Sequence, residues 1–260
     1  MSFDLTSAEA SILLPAFVAG LLVTATHVPL GMQVLARGIV FIDLAIAQIA
    51  GCGVLLADQL GFEPAGAAVQ VAALSAALAG ALLLTWTEKV WPEVQEAVIG
   101  VTFVLGATGS VLLLASNVHG SEHLRDLLVG QILWVPPARL VWVAVAYGAI
   151  LILWFGARGR LGQLGFYAMF AVAVTLSVQL VGLYLVFATL IVPPLATRRM
   201  AHRRLPAAWL LSVAAYATGL MLSTALDLPT GPVIVWVLVA LALVWHAATA
   251  RRTVMDDGHG

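Results

Sequence analysis

Apolar runs of roughly 17 or more residues alternate along this chain with short polar or Gly/Pro-rich breaks. A helix needs about 20 apolar residues to cross about 30 Å of hydrocarbon. On that measure spans are predicted over residues 11–33, 39–57, 66–86, 97–116, 140–156, 163–181, 183–197, 207–226 and 232–249. The stretch 183–197 is short, continues from its predecessor through Val181-Gly182, and ends at Pro193-Pro194. It reads as a half-helix or the second limb of a broken one, so the expectation is eight or nine spans. Backbone interrupted at membrane depth must line a cavity or meet other protein.

Composition agrees with a lipid environment. The chain has 260 residues, 62% hydrophobic and 10% charged, where a soluble domain carries about 25% charged residues. The fold class is therefore all-α, a polytopic integral membrane protein, and residues 1–260 read as a single transmembrane domain. A net charge of -1 leaves no basic field for nucleic acid. The first segment lacks the positive n-region of a secretory signal and carries Asp4 and Glu9, so it is expected to be the first membrane helix. No stretch between apolar runs leaves room for a soluble catalytic domain, and no G-x-x-x-x-G-K-[ST] phosphate cradle occurs. Any energy from ATP must come from another chain.

If nine spans alternate, Arg37, Lys89, Arg158, Arg160, Arg198, Arg199, Arg203, Arg204, Arg251 and Arg252 share one side, with Arg125 and Arg139 opposite. The positive-inside rule makes the first side cytoplasmic. Trp86, Trp91, Trp134, Trp142 and Trp154 fall near span ends, as an interfacial belt requires. Cys52 lies within an apolar run and reads as a small core residue.

Polar residues at membrane depth stand out. Asp43, in GIVFIDLAIAQIAG, is read as the only carboxylate within a span. An ionised side chain there costs about 2.5–3.5 kcal/mol on insertion scales, so it needs a partner or a purpose. It is either a group on a cation path or a carboxylate satisfied by a helix N-terminus or a neighbouring hydroxyl. Gln48 would flank it loosely. His27, in ATHVPLG, would join it if the first two spans pack together; alternatively His27 bonds a carbonyl freed by Pro29 at a kink. A second cluster, SNVHGSEHLRDLL on the outer side, brings together His119, Glu122, His123 and Asp126. Imidazole with carboxylate suits zinc, iron or manganese, although a polar surface loop has the same composition. The basic run ATRRMAHRRLP follows Pro193-Pro194 and serves as a topology anchor or as a docking element for a soluble partner.

Four stretches, PLGMQVLARGIVFIDLAIAQIAG, EAVIGVTFVLGATGSVLLL, VGLYLVFATLIVPPLATRRMA and GLMLSTALDLPTGPVIVWV, resemble in order and spacing the permease subunit of the ABC importers that take up zinc, manganese or iron(II) in bacteria. The resemblance implies a homodimer in the bacterial cytoplasmic membrane, a separate ABC ATPase subunit, an extracytoplasmic metal-binding protein and surrounding lipid. It implies no permanently bound cofactor, the divalent ion being cargo. It implies that the region of Pro193, Pro194, Arg198 and Arg199 meets the ATPase, and that Leu226-Asp227-Leu228-Pro229-Thr230-Gly231 connects to the last span. Many relatives carry an Asp-x-x-x-His pair in the second span; here the fourth residue after Asp43 is Ala47. The expected metal residues are Asp43, His27, His119, Glu122 and His123, with zinc the first candidate because His outnumbers softer ligands in the outer cluster. A secondary carrier would need more membrane carboxylates and inverted repeats. An intramembrane enzyme would need a His-x-x-x-His or Gly-x-Ser-x-Gly motif, and both are absent.

Overall fold

The computed structural model describes residues 7–63, 66–114, 130, 132–157, 160–200 and 202–256. Among these, regular structure is helical throughout. Helix α1 covers Ser7–Arg37, α2 Ile42–Gln59, α3 Ala67–Val90, α4 Gln95–Leu114, α5 Pro137–Ala157, α6 Gly162–Val181, α7 Leu183–Ala196, α8 Arg204–Leu226 and α9 Thr230–Asp256. Single 3-10 turns, Pro92–Val94 and Ile132–Trp134, precede α4 and α5. Eight of the helices are long and apolar enough to cross a membrane, and the shorter Leu183–Ala196 is the ninth. The observed helices run past several expected ends. As a result Glu88 and Glu96 also fall within helices, so Asp43 is not the only carboxylate in a span.

The helices form two groups joined by α6. Helix α2 packs on α3, α4 and α6, whereas α1 packs on α5, α6, α7 and α8, and α7 is enclosed by α1, α8 and α9. Small residues set these approaches: Gly53 of α2 lies against the Ala72 carbonyl of α3, and Gly106 of α4 against Gln48. With hydrocarbon outside, close backbone packing supplies the association that burial supplies in water. Cys52 sits in the α2–α4 seam, its Sγ 3.1 Å from the Gly106 carbonyl and 3.3 Å from Ser110 Oγ.

Contacts at the helix ends assign the sides. At one end the Arg37 guanidinium lies 4.5 Å over the Phe166 ring, Glu96 accepts the Phe41 N–H at 3.3 Å, and Arg204 donates to the Pro194 carbonyl at 3.2 Å. Lys89, Arg160, Arg198, Arg199 and Arg203 belong to the same ends. At the other end Gln59 donates to the Leu113 carbonyl and Ser223 meets Thr230 at 2.7 Å; Arg139, in the first turn of α5, lies there. The first end is the positive one and hence cytoplasmic.

The break between α6 and α7 is one residue, Gly182, at φ 82°. No side chain would tolerate that conformation without strain. Gly130, itself at φ 72°, lies so close that a β-carbon on it would collide with Val181 and Gly182 backbone atoms. Gly130 thus seats on the chain break, and the Ile132–Trp134 turn packs against α1 and α9, which meets the requirement that irregular backbone at depth be covered by protein. Trp86, Trp91, Trp134 and Trp142 are exposed, as a belt residue should be. Trp154 is not: it is buried, with its ring centroid 6.0 Å from that of Phe166, because α5 turns this face toward α6 beneath Arg37.

Candidate functional site

Asp43 is the second residue of α2, after an N-cap at Phe41 that makes no side-chain cap bond. It is 0% exposed, and neither carboxylate oxygen has a hydrogen-bond partner among the described residues. The first-turn dipoles favour a negative charge by about 0.3–1 kcal/mol. Leaving a buried acceptor unbonded costs about 1–3 kcal/mol, and more for a charge. The N–H groups of Asp43 and Leu44 at the start of α2 act on the carboxylate, and local structure therefore offsets only part of its burial. One turn on, Ala47 is buried on the same face, a methyl group where the resemblance expects an imidazole. Gln48 faces elsewhere, its β-carbon against Gly106 of α4.

His27 is held differently. It is 0% exposed in the middle of α1, with Nδ1 3.1 Å from the Val23 carbonyl and 3.0 Å from Thr26 Oγ1, and Nε2 3.0 Å from Ser177 Oγ of α6. A carbonyl can only accept, so Nδ1 carries the proton, and Nε2 shares the single Ser177 hydroxyl proton with the Val174 carbonyl, which lies 3.0 Å from Ser177 Oγ. Both ring nitrogens are engaged, and an ion at Nε2 would have to displace Ser177. The bonded carbonyl is that of Val23, not that of Ala25, the one Pro29 deprives of its i+4 donor. The expected meeting of His27 with Asp43 does not occur, because α1 and α2 do not pack on each other but on either side of α6. Ten residues of α1, about 15 Å of rise, also separate His27 from the cytoplasmic end beside which α2 begins. Five polar residues that sequence reasoning passed over complete this side of the bundle: Ser177, Thr24 with Ser212 of α8 at 2.9 Å, and Thr189 of α7 with Tyr216 of α8 at 2.9 Å. Each is a hydroxyl in an apolar helix, a weak signal on its own.

Two further carboxylates lie toward the cytoplasmic ends of α3 and α4. Glu96 holds the start of α2 through Oε1 while its Oε2 is buried without a partner, and Glu88 Oε2 and the Tyr167 hydroxyl are likewise buried and unbonded. No group of three His, Cys, Asp or Glu side chains among the described residues is arranged to hold a metal ion. His119, Glu122 and His123 lie outside the described residues.

The basic run begins where α7 ends. Pro193 and Pro194 are buried within α7, and lacking N–H groups they leave the Thr189 and Leu190 carbonyls without helical partners. The Leu190 carbonyl abuts Gly31 of α1 so closely that a β-carbon there would collide with it. Thr197 closes the helix by bonding the Pro193 carbonyl at 3.0 Å. Arg198 and Arg199 then project, exposed, from the cytoplasmic turn, and Arg203, at φ 56°, caps α8.

The family model for the ABC 3 transport family matches residues 9–162 and 156–249. The chain belongs to the ABC 3 transport family. No curated protein matches its sequence. Among solved structures, this ABC 3 chain superposes on PsaBC from Streptococcus pneumoniae, determined in complex with Fab, with a TM-score of 0.70 at 19% identity, over 92% of this chain and 91% of that one. It also superposes on a transporter described as metal-chelate type, in an inward-facing conformation, with a TM-score of 0.65 at 15% identity, over 94% and 90%. At these identities the likeness is one of fold, and it extends over nearly the whole bundle.

Proposed function

We propose that this ABC 3 chain is the membrane-spanning permease of an importer for divalent metal ions, zinc first, with manganese and iron(II) the alternatives. It works as a homodimer in the bacterial cytoplasmic membrane, receives the ion from an extracytoplasmic metal-binding protein and is driven by a separate ABC ATPase. Family membership over most of the chain supports the transporter class. The observation that carries the metal reading is Asp43, a carboxylate buried to 0% with both oxygens unbonded among the described residues. Such a group is expensive and marks an ion path by default. Without an imidazole at position 47 it would coordinate weakly, which suits conduction, since an ion must leave as well as enter. His119, Glu122 and His123 would act at hand-over outside.

The exposed Arg198 and Arg199 turn, mounted on the proline-ended α7, is the coupling element for the ATPase. Reversing both arginines to Glu is expected to abolish uptake of radioactive zinc in cells, with the free ATPase still hydrolysing ATP and co-purification weakened, because opposite-charge docking becomes repulsion. Uptake and co-purification at wild-type levels would refute the coupling role. Unchanged zinc, manganese and iron contents in cells lacking the gene would refute the metal reading itself.

A further inference from the structure

Beside the cytoplasmic turn, the end of α7 and the flank of α9 enclose a cavity of about 180 Å³, of whose lining the transport reading uses only Arg198 and Arg199. Arg198 and Arg199 form one wall, Trp245, His246 and Thr249 the other, and Leu195 its floor. None of the described residues lining it is a carboxylate. The Thr249 hydroxyl is turned back onto the Trp245 and His246 carbonyls at 3.0 and 3.1 Å. The donors available to a bound group are therefore two guanidiniums and an imidazole, a set that fits the oxygens of a phosphate.

Where this cavity sits selects the kind of phosphate. It opens at the cytoplasmic end of the bundle, beside the last turns of the apolar span Thr230–Thr249, where a headgroup layer would begin. On the turns of α9 below His246, and on the same flank by helical spacing, lie Val239, Leu243 and Trp236, which are 37%, 66% and 78% exposed. A basic pocket above an exposed apolar strip matches an anionic phospholipid, its phosphate among the arginines and its acyl chains along α9. A soluble anion would leave the strip unused, and an acidic protein surface would have to enter the membrane to reach it. We infer that the α7–α9 cleft binds the headgroup of an anionic phospholipid, so that the turn carrying Arg198 and Arg199 is in contact with lipid. The inference holds whatever ion is carried.

The full-length protein, purified in detergent, would be exchanged into nanodiscs of phosphatidylcholine containing one tenth phosphatidylglycerol, and the lipid retained on re-extraction counted by native mass spectrometry. Phosphatidylglycerol is expected at one molecule per protomer, enriched at least tenfold over its share. Each of Arg198→Gln and Arg199→Gln should cut that enrichment about fivefold, the value of one basic side chain near an anionic surface. His246→Ala, which leaves the arginines in place, should reduce it less. Inorganic phosphate at 10 mM should not displace the lipid. Equal retention of both lipids, or retention indifferent to all three substitutions in protein that elutes and folds as wild type, would overturn the proposal. So would full displacement by inorganic phosphate, which would make this a site for a free anion. If His246→Ala instead abolished ATPase co-purification with lipid retention unchanged, the cleft would be a protein contact and the proposal wrong.

Discussion

The two groups of helices differ in which buried polar groups they leave unmatched. Around α1, α6, α7 and α8 three interhelical pairs are matched, His27 with Ser177, Thr24 with Ser212 and Thr189 with Tyr216, while Thr175 Oγ1, Arg204 Nε and Trp209 Nε1 are buried there without a partner. Around α2, α3 and α4, at the cytoplasmic ends, Asp43, Glu88 and Glu96 each keep at least one buried oxygen unbonded, as does Tyr167 on the adjoining turn of α6. Matched groups weld helices together and return part of their desolvation cost. Unmatched ones cost stability and persist only where something else requires them. Among the described residues the buried unmatched carboxylates all belong to α2, α3 and α4, which marks that group as the candidate path and the other as scaffold.

The comparison breaks first at Asp43. Asp43→Ala is expected to lower metal uptake at least tenfold while the melting temperature stays level or rises, since an unbonded buried carboxylate contributes nothing to stability. Wild-type uptake would remove Asp43 from the path. Gly31→Val comes next, because its side chain must displace the Leu190 carbonyl that Pro194 leaves free. A loss of about 3 kcal/mol or more is expected from overpacking, read as a lowered detergent-solution melting temperature, and an unchanged value would mean α1 does not bear on α7 there. His27→Ala should show the reverse of Asp43→Ala. It should lose about 2 kcal/mol from the cavity and the lost hydrogen bonds of the imidazole, with uptake per folded molecule near wild type; uptake falling as far as in Asp43→Ala would place both residues on one path. The smallest effect is expected from a double-mutant cycle on Thr24→Val and Ser212→Ala, whose coupling should be about 0.6 kcal/mol, the average for interhelical hydrogen bonds in a membrane protein. A coupling indistinguishable from zero would show that this match is geometric only.

Much of the bundle was legible from hydropathy because lipid demands long apolar helices and little else. The half-length α7 was legible too, through Gly182 and the proline pair. Helix ends were not: α1 runs to Arg37 and α9 to Asp256, since a helix continues past the hydrocarbon wherever nothing stops it. That is why Glu88 and Glu96 escaped notice as helix residues. Asp43 was visible from its charge alone. Its separation from His27 was not, because neighbours in sequence need not be neighbours in a bundle, and here α6 and α7 take the place beside α1 that α2 might have held. Trp154 shows the same limit: nearness to a span end places a tryptophan in depth but leaves open which way it faces.

The length of α7 also bears on how the chain enters a membrane. Fourteen residues rise about 21 Å, well short of a hydrocarbon layer of about 30 Å, so this segment is a poor candidate for recognition and release as a span in its own right. Joined to α6 through the single residue Gly182, it can be delivered as the second leg of a hairpin whose first leg is long enough to be inserted. The arginines that follow Pro194 then hold its far end on the side of synthesis. In this chain the tightest turn is therefore also an instruction for biogenesis: a longer or looser link at Gly182 would oblige α7 to find its place unaided.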